Sequence, residues 1–491
     1  MNGDGGKVWI ASGGQDTPRW AVEAGLAKLP EGGPAGPLDA VLAVGARHGG
    51  SLNDGAWHWN AVAAEVASLP WAEIARRLRR EGFLVSEAAR IRPGRSGRMA
   101  GQRFGQRRFT VSVFGLTAAD VRPDPGTRAR DEELRRRLAR ASARALYALG
   151  LDCGSVVWEV GASGRTGVIS DLSPELRPET PEAEAVFARA AADFARSWAA
   201  ETAPGSVPLA TLGADPEFVL LSPEGKVVPA ARYLQPGGRA GCDAVVVRGV
   251  PRWALAELRP DPSPDPHAVA AQLRRLLAAA SKATGEAPLA WLAGASPVPG
   301  LPLGGHLHLS GVALTGERLR ALDNAVALPL RLLEPPDAGA RRPRYGALGD
   351  CRAKPHGGFE YRTPPSWLVS PRLARATLAL AKLAAEHARA LATGRPLDVD
   401  AMRDAFYEGD RPRLAEGAER VYAAIRKTSG YAEYGPDVDA VFLDVREGRT
   451  WDERADIRSK WRIPAPGGQS GRERHVRRNG DEGSCRTMVR T

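Results

Sequence analysis

Three short stretches constrain this chain more than anything else in it: GADPEF at 213–218, GGHLHLS at 304–310 and GGFEYRTPPSW at 357–367. Each sets charged or imidazole groups into an alternating apolar run. Side chains on a strand alternate between the two faces. Asp215 and Glu217 therefore share one face of a strand, as do His306 and His308, and as do Glu360 and Arg362. A sheet that buries the alternate residues and turns these pairs to one side carries a polar cavity there, not a second core.

The rest of the composition says what surrounds that cavity. A chain of 491 residues has room for about two to four domains with real cores. No apolar run approaches the roughly 20 residues a membrane helix needs, so no membrane span is expected. The opening MNGDGGKVWIASGG has neither a basic nor a long apolar segment of the kind a secretion signal needs. Cys153, Cys242, Cys351 and Cys485 are far apart and form no CxxC pair, which argues against a disulfide framework or a cysteine zinc site and for a reducing, cytoplasmic setting. The net charge of +11 comes almost wholly from arginine. Without a zinc finger, an RNP-like aromatic motif or a basic heptad, that charge reads as compositional bias, and no nucleic-acid partner is expected from it. The stretch 90–108 holds seven arginines and no acid; it reads as a flexible basic loop, with anion contact as the alternative.

Along the chain the pattern changes once. Residues 1–203 alternate helices and strands, the signature of an α/β domain: a helix at 71–85 running into a strand, a strand at 109–116, a long helix at 131–151, a strand pair at 155–160 and 166–173, and an amphipathic helix at 181–201. TAPGSVP at 202–208 reads as a linker. From 209 to 395, strands and helices fall in separate blocks, with helices at 266–285 and 370–394. That spacing predicts an α+β domain with helices on one face of a mostly antiparallel sheet. A helical appendix follows at 396–464, and a Gly-, Arg- and Ser-rich tail, read as disordered, at 465–491.

The chemistry sits in the second block. GADPEFVLLSPEGKVV reads as a hairpin with Asp215 and Glu217 at its start, and Glu217 directly precedes FVLL, where burial demands a partner or a metal. Asp243 in AGCDAVVV and Glu257 in WALAELRPDP are further acids at the edges of apolar runs. His306 and His308 project to one face, and Gly304 and Gly305 permit close backbone approach. With several carboxylates and no nearby cysteine, the donor set favours Mg2+ or Mn2+ over zinc. Arg341, Arg342, Arg344, Arg352, Lys354 and Arg362 lie in turns around Glu360, and arginine forks bind phosphate and carboxylate oxygens. Carboxylate-held cations with arginines are the equipment of phosphoryl transfer from a nucleotide, and the absence of GxxxxGK[ST] excludes a P-loop.

The order of these motifs resembles the glutamine synthetase and glutamate–cysteine ligase superfamily, and more closely the phage-type carboxylate–amine ligases. The resemblance runs through GADPEF, GCDA, ELRPDPSP, GGHLHLS, the stretch from RYGALGDC to PPSWLVSP, and WDERADIRSKW at 451–461. It implies a glutamine-synthetase-like sheet and an ATP- and Mg2+-dependent ligase that forms an amide through an acyl phosphate, from small-molecule or peptide carboxylate and amine substrates. It further implies that Glu217, Glu257, His306 and Glu360 hold the metals. His308 would lie near the ATP phosphates, Arg344 and Arg352 would stabilise the transferring phosphoryl group, and Arg362 would orient the substrate. A weaker resemblance links 147–176 to the closing strands of an ATP-grasp domain, with Asp171 near the metal position but Leu172 where that pattern has asparagine; it implies a truncated, inactive relative serving as a scaffold or substrate-docking domain, with an unrelated α/β module as the alternative. Without the separate β-grasp domain of ring-forming glutamine synthetases, a monomer or homodimer is expected. The alternative is a phage-derived binding protein that keeps the fold without the catalysis.

Overall fold

The computed structural model describes residues 5–11, 16–30, 35–43, 55–87, 107–124 and 131–464, except for 177, 204, 207–208 and 248. The tail at 465–491 lies outside the described residues, as does all but the end of the arginine-rich stretch at 90–108. None of the described helices is long and apolar enough to cross a membrane.

The N-terminal part carries two four-stranded sheets. Strands β1 (Val8–Ala11), β2 (Ala27–Lys28), β3 (Ala40–Ala43) and β4 (Trp57–Trp59) are all parallel, in the order β2-β1-β3-β4. Helices α1 (Arg19–Glu23), α2 (Ala63–Ser68) and α3 (Trp71–Arg80) flank them in sequence. Strands β5 (Arg107–Phe114), β6 (Ala118–Pro123), β7 (Cys153–Val160) and β8 (Gly167–Ser173) form an antiparallel sheet ordered β6-β5-β7-β8. Alternation in the sequence thus marks a parallel sheet only at β1–β4. The connections at 115–117 and 161–166 are too short for the crossover a parallel pair requires. Helices α4 (Glu132–Ala148) and α5 (Pro181–Glu201) start at side-chain caps, Asp131 accepting from Leu134 N–H and Thr180 from Ala183 N–H.

From residue 209 onward the fold is α+β. An eight-stranded sheet, wholly antiparallel, has the path β11 (Ala240–Val247), β12 (Val250–Leu258), β9 (Thr211–Leu221), β14 (Gly305–Ser310), β16 (Phe359–Tyr361), β15 (Cys351–Ala353). Strands β10 (Val227–Val228) and β13 (Ala290–Leu292) also pair with β9. One face of this sheet, carrying Leu212, Ala214, Phe218, Ala256, Leu307, Leu309, Phe359 and Tyr361, joins a single core with helices α6 (Pro266–Thr284) and α9 (Pro371–Glu386). Phe218 stacks on Trp291 with ring centroids 5.0 Å apart.

The remaining helices, α7 (Gly316–Leu322), α8 (Leu328–Leu333), α10 (Asp400–Glu408), α11 (Arg411–Ile425), α12 (Tyr431–Arg446) and α13 (Ile457–Trp461), contribute to that same core. The 396–464 helices therefore share their apolar interior with the sheet. Helix α9 is tied to the start of β9 by a buried pair. Lys382 Nζ donates to Ala210 C=O at 2.9 Å, Glu386 accepts from Ala210 N–H at 2.8 Å, and the two side chains pair at 2.6 Å.

Candidate functional site

The face of the large sheet opposite the helices carries the polar row. Its register follows from the ladders. Asp215 lies opposite His306, Glu217 opposite Glu257, His308 opposite both Gly213 and Glu360, and Arg352 opposite Glu360. Directly paired residues point the same way, so the three pairs recognisable in the sequence do gather on one face. Asp243 joins them from β11, at a bulge in its pairing with β12. Beyond the polar row, Val219, Leu255, Leu292 and Leu303 close that face with a small apolar cluster.

Small residues make the crowding possible. A Cβ at Gly213 would sit 3.3 Å from His308 Cβ, and one at Gly304 would run into the imidazole of His306. Strand β9 begins at Thr211, two residues before Gly213, so Asp215 and Glu217 stand in mid-strand and not at its start. The backbone around them is pinned: Ser366 Oγ donates to Glu217 C=O at 2.5 Å and Trp367 Nε1 to Gly305 C=O at 2.8 Å.

Asp215 occupies the centre. Its Oδ2 is 3.0 Å from His308 Nε2, and its Oδ1 is 3.2 Å from His306 Nδ1, yet Oδ1 is buried with no aligned hydrogen bond. His306 Nδ1 is also 3.5 Å from Glu360 Oε1. One ligand atom each from Asp215, His308 and Glu360 falls within 4.8 Å of the others. Glu360 is ringed by cations: Lys354 at 2.5 Å, Arg362 at 2.9 Å and Arg352 at 3.6 Å. Glu217 accepts from Gly304 N–H at 2.6 Å, and Glu257 is paired with Arg259.

The electrostatics are those of a site with too many acids. Burial pushes the Glu217 carboxyl up to about 7; the Asp215 and Asp243 charges add to this, while His306 and the Gly304 N–H oppose it. Burial also pushes Glu257 well above the usual range, with Asp215, Asp243 and Glu217 repelling it and Arg259 only partly compensating. Burial opposes ionisation of Asp215 as well, but the two imidazoles outweigh it and hold its carboxyl far below normal. Glu360 is lowered because Lys354, Arg362 and His306 overcome its burial. His306 is raised: burial favours its neutral form, and Asp215 with Glu217 favours the charged one more.

Two of these carboxyls thus resist ionisation where they stand, and a third keeps a buried oxygen without an aligned donor. A hard dication relieves both conditions. Oxygen donors with one or two imidazoles fit Mg2+ or Mn2+. The residues present fit such an ion.

The remaining sequence candidates are distributed unevenly. Arg352 and Arg362 reach Glu360, whereas Arg344 is exposed, with its guanidinium 5.5 Å from the Tyr345 ring centroid, and makes no ion pair with the row among the described residues. Asp171 lies on β8, in a different sheet. Three residues gain partners that the strand pattern alone does not show. Asp215 joins the two histidines, and Lys354 and Arg259 neutralise Glu360 and Glu257. Arg259 stands two positions past Glu257, the spacing that puts both on one face. Lys354 stands in the sequence among the cations in turns around Glu360, but its direct pairing with that carboxylate follows from the β15–β16 hairpin. Glu453, within the WDER stretch, accepts N–H bonds from Ala295 and Ser296 and an indole bond from Trp451, fixing the turn that leads back towards Gly304.

No curated protein shows significant similarity to the chain. Among solved structures, the bifunctional glutathione synthetase from Pasteurella multocida is similar over 51% of this chain and 49% of its own, at 11% identity and a TM-score of 0.34. This chain thus spans about half the length of that enzyme, and a likeness so loose carries no argument here. The family model described as phage phiEco32-like COOH.NH2 ligase-type 2 matches residues 212–463. That span is just over half the chain and contains every member of the polar row. The protein therefore belongs to the phage phiEco32-like carboxylate–amine ligase family, type 2.

Proposed function

We propose that this protein joins a carboxylate to an amine at the expense of ATP, through an acyl phosphate, with Mg2+ or Mn2+ bound on the polar face of the large sheet. The observation that carries this reading is the row Glu257, Glu217, Asp215, His306, His308 and Glu360 on one face, edged by Arg259, Lys354, Arg352 and Arg362. Family membership supplies the class of bond formed. The sheet is read as glutamine-synthetase-like, with residues 209–464 as the ligase unit and 1–203 as a separate N-terminal unit.

In this reading Glu217, Glu257, Glu360 and His306 would hold the cations together with Asp215, and His308 would lie near the nucleotide phosphates. When bound, the metal screens the triphosphate so that an anionic carboxylate can approach it. Lys354, Arg352 and Arg362 neutralise Glu360 in this structure. They are the side chains that would meet phosphate oxygens once Glu360 is otherwise neutralised, with Arg362 orienting the substrate carboxylate; Arg344, on the neighbouring turn, would stabilise the transferring phosphoryl group. A carboxylate oxygen forms a bond to the γ-phosphorus and ADP leaves. The amine then forms a bond to the carbonyl carbon, phosphate leaves and the nitrogen loses a proton. Removing one such electrostatic contact typically costs about 3 kcal/mol in the barrier. The substrates are small-molecule or peptide acids and amines, the setting is cytoplasmic, and the protein acts as a monomer or homodimer.

The test is metal-dependent ADP formation over a panel of carboxylates and amines, with Glu217→Ala and Glu360→Ala as controls. Turnover in the parent that falls by about a hundredfold or more in both variants supports the reading. Absence of both nucleotide binding and ADP formation with every pair would leave the fold as a binding protein.

A further inference from the structure

The Glu360–Arg362 end of the polar face is held from behind by side chains of the N-terminal region. Gly349 lies in the turn at 347–350 that leads into β15, and its N–H donates to Asp323 Oδ1 at 3.1 Å. Tyr361, between Glu360 and Arg362, donates its hydroxyl to the same oxygen at 2.7 Å. The other oxygen of Asp323 accepts the hydroxyl of Tyr147, from α4, at 2.7 Å. Asp323 opens a single π-helical turn, Asp323–Ala327, inserted between α7 and α8; such insertions re-aim the side chains of a helix.

A second strut runs parallel to the first. Leu348 N–H donates to Tyr407 Oη at 3.0 Å, Tyr407 donates to Glu81 at the end of α3, and Glu81 accepts from Arg403 at 2.8 and 3.0 Å. Glu81, Tyr147, Asp323, Tyr361 and Arg403 are buried. A Cβ at Gly349 would run into the Tyr147 ring, so the turn is glycine where the N-terminal helix enters. The front of the same turn holds the site: Asp350 C=O accepts from Arg362 N–H at 2.8 Å, and Arg352 follows immediately, opposite Glu360.

We propose that Tyr147 and Glu81 are positioning residues of the ligase site, and that the N-terminal region serves as the backing that places the 347–350 turn, and with it Arg352, Arg362 and Glu360. This rests on the reading of the polar face as a cation and phosphate site. A buried polar network with every member satisfied specifies one arrangement of the elements it joins. Loss of the Tyr147 hydroxyl therefore loosens the turn without emptying the core.

The experiment compares Tyr147→Phe with Tyr422→Phe in the full chain. Tyr422 donates to Asp439 at 2.8 Å, between α11 and α12, in a part-buried bond outside both struts, and serves as a control for stability alone. Amide exchange is read over 348–354 and 359–362, and affinity is read with Mn2+·ADP. The expected result is exchange in those segments faster by about tenfold in Tyr147→Phe and unchanged in Tyr422→Phe. Affinity should weaken by roughly fivefold in the first only, the equivalent of one hydrogen bond. Faster exchange confined to α4, or unchanged affinity in Tyr147→Phe beside a parent that binds, overturns the proposal. If the parent takes up no Mn2+·ADP, the nucleotide reading fails, and the exchange data alone decide the positioning claim: faster exchange at 348–354 upholds it and unchanged exchange overturns it.

Discussion

At the scale of single residues, the site depends on what is missing as much as on what is present. Gly304 offers its N–H to Glu217 and leaves the room that the His306 ring fills. Gly304→Ala should cost about 1–3 kcal/mol of stability and displace His306 from Asp215. Mn2+ titration followed by electron paramagnetic resonance should show affinity reduced by roughly tenfold or more. An unchanged affinity would mean that His306 does not help hold the ion. Asp323 gives a prediction in pH. Burial lifts its carboxyl from 3.8 to about 6, although Tyr361, Arg403, Tyr147 and the Gly349 N–H pull the other way. Between those values the folded chain keeps a proton that the unfolded chain has lost. Stability therefore falls as pH rises from about 4 to about 6, by at most about 3 kcal/mol from this group. Urea unfolding at several pH values should show that slope in the parent and a flatter one in Asp323→Asn; equal slopes would contradict it.

At the scale of elements, strand and helix periodicity carried most of the information. The period-2 runs of β9, β14 and β16 announced both the shared faces and the opposite apolar side, and the helical periods of α5, α6 and α9 matched the observed helices to within a few residues at most except at the end of α9. There the apolar pattern continues to 394, but α9 ends at Glu386, and the chain resumes as a short 3₁₀ turn, Ala390–Gly394. A Cβ at Gly394 would overlap Ala424, so that turn packs directly against α11. Register was not legible. That Glu257 faces Glu217, and that Lys354 reaches Glu360, follows from which strands pair, and a single sequence does not state its pairings. The buried Lys382–Glu386 pair was silent for the same reason: i,i+4 pairs usually sit on exposed helix faces, whereas this one closes the backbone of Ala210. Lys382→Ala should cost about 3–5 kcal/mol, since it leaves Glu386 buried without its cation. Lys382→Met with Glu386→Met should cost less than the single change. Chemical denaturation of both variants checks the order.

At the scale of the whole molecule, the sheet from residue 209 onward and the N-terminal region meet through buried ionic groups as well as apolar ones. Asp152 pairs with Arg320 at 3.0 Å, Glu201 with Arg318 at 2.8 Å and Glu81 with Arg403 at 2.8 Å. Such pairs cost heavily when one partner is removed, so the two regions are matched to one another along the helices that back the polar face. The chain thus uses one layer of helices for two tasks: its apolar side fills the core, and its polar residues hold the turn that leads into Arg352. The central claim is that the opposite face of the sheet holds a cation and the phosphates of a nucleotide. Crystals grown with Mn2+ and a non-hydrolysable ATP analogue test it most directly, through the anomalous difference map. The account predicts a manganese peak among Asp215, His308 and Glu360, with the triphosphate against Lys354 and Arg362. Nucleotide or metal bound elsewhere, with that face empty, would contradict it.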